Sequence, residues 1–174
     1  MMPVIEDNIG AVVAKMRTLQ GVGVTTPEYM YGHIPEINTR LQLKQTDPVN
    51  RDKKYPLVIL RLDAVSDVVG DMVKYNLNLA IVNRTDQNYN AEQRLERVFK
   101  PILYPLFELF FEALQKSPLF MWPGDLRYPP HTKIDRYYWG TQSGAVNVKN
   151  IMSDPIDAIE IQNLKINSRI KNNC

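Results

Sequence analysis

Cysteine is nearly absent from this chain, which has one among its 174 residues, at the last position, Cys174. A disulfide within the chain is therefore impossible, and a cluster of cysteine metal ligands is excluded. The only histidines, His33 and His131, stand alone, without a second ligand at the roughly three- to five-residue spacing of zinc sites. We expect no metal and no cofactor, and we expect each histidine to be a surface or hydrogen-bonding residue.

The chain also lacks a strong excess of charge and a long apolar run, and we expect no signal peptide. Its formal net charge of +2 gives no electrostatic case for a dedicated nucleic-acid binder. No uninterrupted apolar run approaches the roughly 18 residues of a membrane span. The acidic start, MMPVIEDNIG, lacks the basic-then-apolar order of a signal peptide. We expect one soluble domain, residues 1–174, made in a reducing cytoplasm.

Catalytic motifs are scarce as well. The chain contains no glycine-rich phosphate loop and no GxSxG elbow. One acidic set, Asp154, Asp157 and Glu160, could hold Mg²⁺ beside a strand for phosphodiester cleavage. The simpler interpretation is a strand-entry turn followed by an exposed glutamate, so we expect no enzymatic activity.

What the chain does have is a long, strongly apolar helical pattern over residues 90–116. Asn90 is a good N-cap, and Gln93 can reach back to it as in a capping box. The prolines within the pattern predict a bent helix or two helical pieces meeting near residues 100–104. Phe107 and Phe111 fall outside the main apolar stripe. They are either part of a kinked core helix or contacts to another subunit.

The remaining elements are a short amphipathic helix over residues 3–19 and several strands. Strands are predicted over residues 39–45, 55–64, 72–82, 134–139 and 156–170. The apolar alternation of the last strand changes phase, which predicts a β-bulge or bend at Gln162 and Asn163. The fold class is therefore α+β: a mainly antiparallel sheet of four to five strands, packed on one face by the short helix and the long, proline-kinked helix.

Two loops are long. Residues 46–54 are charged and have little apolar content, which predicts an exposed hairpin loop. Residues 117–133 are rich in proline and aromatic residues, so this loop either packs on its own domain or docks on a partner.

Four stretches carry a resemblance to a known family: YPLVILRLD (55–63), KYNLNLAIVNRT (74–85), AEQRLERVFKPILYPLFELF (91–110) and DPIDAIEIQNLKI (154–166). Together with the N-terminal helix, their order resembles that of the tail-terminator or tail-completion proteins of tailed bacteriophages and the neck proteins of the head-to-tail connector. The resemblance implies a structural virion protein without catalytic residues.

The same resemblance implies a ring, six-fold or twelve-fold, that joins the portal or connector adaptor to tail proteins and leaves a channel through which DNA passes. The loop 46–54 would then be an arm reaching a neighbouring ring or the lumen, with Arg51, Lys53 and Lys54 facing the DNA. Contacts between subunits of a ring are heterologous, and we expect them to involve Phe107, Phe111, Phe120 and Trp122. In that case Phe111→Asp would give a folded monomer.

Two other functions remain open on the sequence. One is a cytoplasmic α+β adaptor that binds another protein without closing a ring. The other is a metal-dependent nuclease built on the acidic set 154–160. A native mass and a cleavage assay would separate the three.

Overall fold

The computed structural model describes residues 4–19, 26–62, 65–121, 128–139 and 151–170, which form an α+β fold. Its helices are α1 (Ile5–Leu19), α2 (Ile34–Thr46) and α3, a long joined helix of three consecutive pieces, Ala91–Arg94, Leu95–Leu103 and Tyr104–Gln115. Its strands are β1 (Glu28–Tyr31), β2 (Leu57–Leu60), β3 (Val65–Val69), β4 (Met72–Arg84), β5 (His131–Ile134) and β6 (Ile156–Arg169).

The six strands form one mixed sheet in the order β1-β2-β4-β6-β5, with β3 beside the first half of β4. The pairing of β1 with β2 is parallel, and the other pairings are antiparallel. Strands β4 and β6, with 13 and 14 residues, form the centre of the sheet. The prediction of four to five strands is therefore corrected to six.

Both faces of the sheet are covered, because successive residues of the central strands point to opposite sides. On one face, residues such as Val58, Leu79 and Ile159 pack with α1 and α3 in the larger core. On the other face, Ile59 and Ala158 pack with α2 in a smaller core. The two predicted helices, α1 and α3, do share one face, but α2, which was not predicted, covers the second face.

The start of α3 is confirmed. Asn90 accepts a hydrogen bond from the backbone N–H of Gln93 at 2.8 Å, and the Gln93 side chain accepts one from the N–H of Asn90 at 3.0 Å. The predicted bend is not confirmed. Pro101 lies in the π-helical middle piece, and Pro105 lies in the first turn of the last piece, which follows the middle piece directly.

The predicted strand over residues 39–45 was wrong, because these residues belong to α2. Pro35 stands in the first turn of this helix, and Ile34, Ile37 and Leu41 are buried at helical spacing. Leu43, whose alternation with Leu41 indicated a strand, is 66% exposed. The loop 46–54 consequently joins a helix to β2 and is not a hairpin; its residues Arg51–Lys53 form a short 3₁₀ turn.

Strand β6 contains the predicted bulge. Leu77 pairs with Leu164 and Leu79 with Ile161, so β6 has one more residue than β4 between these pairs. Asn163 has a φ of 55°, which lets the extra residue turn out of the ladder. The strand predicted over residues 134–139 was misplaced, because β5 ends at Ile134 and turns follow it.

Candidate interaction sites at the two ends of strand β4

Two of the predicted interface residues, Phe107 and Phe111, lie in the core, where they are 4% and 1% exposed. The ring centroid of Tyr128 lies 5.6 Å from the ring centroids of both phenylalanines, and that of His131 lies 4.4 Å from that of Phe107. The chain thus covers these phenylalanines with its own residues. Their prediction as subunit contacts was wrong, and Phe111→Asp would place a charge in the core.

The described part of the loop 117–133 packs on its own domain. Phe120 is half-buried against the larger core. The N–H of Met121 donates to the carbonyl of Asn167 at 2.8 Å, which fixes this segment to the edge of β6. Trp122 lies outside the described residues.

The predicted lumen residues separate into two groups. Arg51 and Lys53 are exposed, as an arm would require. Lys54 is 5% exposed, and its Nζ lies 2.5 Å from Asp154 Oδ2 and 2.8 Å from Gln45 Oε1. Its prediction as a lumen-facing residue was wrong, because a buried ammonium requires these oxygens as partners.

The carboxylates considered for a metal site do not converge. The alternation of β6 places Asp157 and Glu160 on opposite faces of the sheet, and each acidic residue has a cation of its own. The pairs are Asp154–Lys54 at 2.5 Å, Asp157–Arg94 at 2.8 Å and Glu160–Arg61 at 3.2 Å. Among the residues that the structure describes, no group of three potential metal ligands is found.

The pair of Arg94 and Asp157 is the most deeply buried, with 1% and 0% exposure. Arg94 also donates to the backbone carbonyls of Tyr89 at 3.0 Å and Asp86 at 3.1 Å. Asp157 Oδ1 accepts a second hydrogen bond, at 2.9 Å, from the backbone N–H of Arg136. The ion pair therefore ties α3 to β6 and to the loop that follows β4.

A cleft of about 630 Å³ opens beside this ion pair, between α3 and the loop after β4. Arg84 and Arg97 provide its cations, and Val98, Ile102 and Pro155 contribute apolar surface. We call it the charged cleft. The guanidinium of Arg97 lies 5.1 Å from the ring centroid of Tyr89 and its Nη1 3.3 Å from the hydroxyl. This position is fixed by stacking on Tyr89 rather than by a counterion.

The charged cleft has an uneven balance of charge. Among the described residues that line it, Asp86 is the acidic one, and its side chain accepts a hydrogen bond from the backbone N–H of Asn88 at 2.9 Å. Within the described chain, neither Arg84 nor Arg97 has a carboxylate within ion-pair distance. Arg84 also borders a second cleft of about 240 Å³, where Arg51 and Lys54 lie together with Asp52 and Asp154. The charged cleft, with its excess of cations, can therefore accept an anionic group, whereas the second cleft contains carboxylates of its own.

The opposite end of β4 is a hairpin with β3. Val69 pairs with Met72 across a two-residue turn of Gly70 and Asp71, and Gly70 has a φ of +63°. A positive φ at the first central residue is what a type II′ turn requires. Val68 and Val69 are 52% and 42% exposed. We call residues 68–71 the hairpin end.

Neither end of β4 was predicted from the sequence, although the hairpin end has a local signal. A Gly-Asp pair between valines and an apolar strand is a hairpin signal, and it would have placed β3. The charged cleft had no local signal, because its residues come from β4, from α3 and from the segment before β6.

No protein-family model matches the chain, and no curated protein matches its sequence. Among the helices in the described part of the chain, none has the length and apolar character needed to cross a bilayer. The resemblance to phage proteins accordingly rests on the order of elements and on the quoted stretches.

Proposed function

We propose that this protein is a structural virion subunit of a tailed bacteriophage, which forms a ring at the head-to-tail junction or at the end of the tail. The ring joins the connector to the tail and leaves a channel for DNA. Its partners are further copies of itself, the portal or connector adaptor, and tail proteins.

The order of elements supports this proposal. A short helix, two core strands, a capped long helix and a closing central strand follow each other as α1, β2, β4, α3 and β6. The other elements, β1, α2, β3 and β5, lie between these without changing their order. The engagement of all three candidate carboxylates in separate ion pairs also favours a structural role over the nuclease.

The observation that carries a subunit role is the exposed hairpin end. Its two valines are both exposed and adjacent in the chain, and the outer edge of β3 pairs with no strand in the described sheet. An unpaired edge with exposed apolar residues is a surface that a partner covers. This hairpin, rather than the loop 46–54, is the arm of the proposed subunit, and Arg51 and Lys53 remain candidates for the lumen.

The proposal is tested by the native mass. Light scattering of the purified protein over a concentration series, with negative-stain images of the same fractions, should give closed rings of six or twelve. A strict monomer at every concentration, together with no incorporation into phage particles, would refute it.

A protein-binding adaptor is the second candidate, since a hairpin end can also dock on another protein. A monomer that forms a one-to-one complex with a partner would favour it. Tight, salt-sensitive binding of short duplex DNA by the free protein would contradict a lumen through which DNA slides.

A further inference from the structure

We propose that the hairpin end of one copy docks in the charged cleft of the next copy. This inference rests on the proposed assembly into rings and adds the two surfaces that meet. The cleft is lined by Arg84 and Arg97, and the hairpin end presents Val68, Val69 and Asp71.

The charged cleft can bind a segment that has both an anionic side chain and apolar side chains. Its two guanidiniums lack carboxylate partners in the described chain, whereas the nearby Arg94 and Lys54 each pair with a carboxylate, Asp157 and Asp154, respectively. A guanidinium binds a carboxylate through two parallel hydrogen bonds. Val98 and Ile102 contribute apolar surface to the same cleft.

The hairpin end has the matching composition. Val68 and Val69 point to opposite faces of the ribbon, so the end is apolar on both sides, as insertion into a cleft requires. Asp71 is exposed at the turn itself. Asp67 lies opposite Lys74 in the register, so we assign the contact with the arginines to Asp71.

The two surfaces lie at opposite ends of one strand. Strand β4 has 13 residues from Met72 to Arg84. At a rise of about 3.4 Å per residue, its ends are roughly 40 Å apart, too far for contact within one copy. The contact is therefore heterologous, and it closes a ring when the rotation between copies permits and otherwise gives a filament.

A charge swap tests the contact. Arg84→Glu and Asp71→Arg should each weaken self-association at least about tenfold, and the double variant should restore it. Arg51→Glu is the matched control, because Arg51 is an exposed arginine at the same end of the sheet but outside the charged cleft. Assembly that is unaffected by both single changes overturns the inference.

Cross-linking gives a second test that does not require rings. In a Cys174→Ser background, Gln87→Cys at the rim of the cleft and Val68→Cys at the hairpin end are prepared as separate proteins. A short bismaleimide should link the mixed proteins far more efficiently than either protein alone. No mixed product at high concentration overturns the inference, whether or not the wild type assembles.

These outcomes separate the inference from the proposed function. Rings that form normally without the mixed cross-link leave the phage subunit intact and refute the contact. A mixed cross-link with open chains or dimers, and no ring under any condition, supports the contact and refutes the ring.

Discussion

Replacing Arg94 by methionine should destabilise the fold strongly. Methionine replaces the apolar stem of arginine with a similar unbranched stem but removes the cation, so Asp157 is left buried without its partner. Asp157 has no exposed surface, and its Oδ2 has no hydrogen-bond partner among the described residues. The carboxylate therefore cannot recover its solvation without opening the structure.

The magnitude follows from the lost contacts. Leaving one charge of a buried pair without its partner costs about 3–5 kcal/mol. Arg94 also donates to the carbonyls of Asp86 and Tyr89, and each such bond contributes about 0.5–1.5 kcal/mol. Water can reach part of this loop, so we expect a total loss of about 4–6 kcal/mol. A domain is stable by about 5–15 kcal/mol, so the variant should be close to unfolding.

Urea unfolding followed by circular dichroism measures the loss. Lys100→Met is the matched control, because Lys100 lies in the same helix and pairs with Glu96 at the surface, where the change should stay under about 0.5 kcal/mol. The double variant Arg94→Met/Asp157→Val removes both charges of this pair, and about 2 kcal/mol should be recovered relative to Arg94→Met. If Arg94→Met stays within about 1 kcal/mol of the wild type, the assigned role of the ion pair is refuted.

Two further predictions concern pH and the bulge. Burial and the carboxylates of Asp154 and Glu160 raise the pKa of Tyr55 and Tyr137, respectively, so these hydroxyls ionise more easily in the unfolded chain. The free energy of unfolding should therefore fall above about pH 10, by about 1.4 kcal/mol per tyrosine and pH unit. Urea unfolding at several pH values measures this slope, and Tyr55→Phe should reduce it. An unchanged slope contradicts the prediction. At the bulge, Asn163 has a positive φ, which a β-branched residue adopts only under strain. Asn163→Val should therefore lower the free energy of unfolding by about 1–3 kcal/mol, whereas Asn163→Gly should change it by less than about 1 kcal/mol. Equal stabilities of the two variants would show that the conformation is unstrained.

The parts of the fold that could be predicted have local causes. The capping box of α3 needs only Asn90 and Gln93, three residues apart, and both hydrogen bonds form. The bulge of β6 follows from a change of phase within one strand, because the two sides of the sheet demand different residues. The strand predicted over residues 55–64 contains β2, whose four apolar residues are buried on both faces of the sheet.

The incorrect predictions have tertiary causes. Leu41 and Leu43 alternate as in a strand, but α2 buries Leu41 beneath the second face of the sheet and leaves Leu43 in solvent. Phe107 lies outside the main apolar stripe of its helix, which suggested a contact to another subunit. Its ring is instead covered by Tyr128 and by His131 of β5, from a later part of the chain. The polar composition of its loop predicted that Lys54 is exposed. It is buried because Asp154, a hundred positions later in the chain, pairs with its ammonium group.

The charged cleft could not be predicted for a further reason, which connects stability with the proposed contact. Arg94 and Arg97 lie one turn apart on α3, and no local feature distinguishes their roles. Arg94 turns inward to Asp157 and holds the carbonyls of Asp86 and Tyr89, thereby fixing the ring on which Arg97 packs. The buried ion pair thus orders the wall of the cleft that contains the guanidinium of Arg97. It follows that Arg94→Met, under conditions where it remains folded, should weaken self-association as Arg84→Glu does, although Arg94 does not line the cleft.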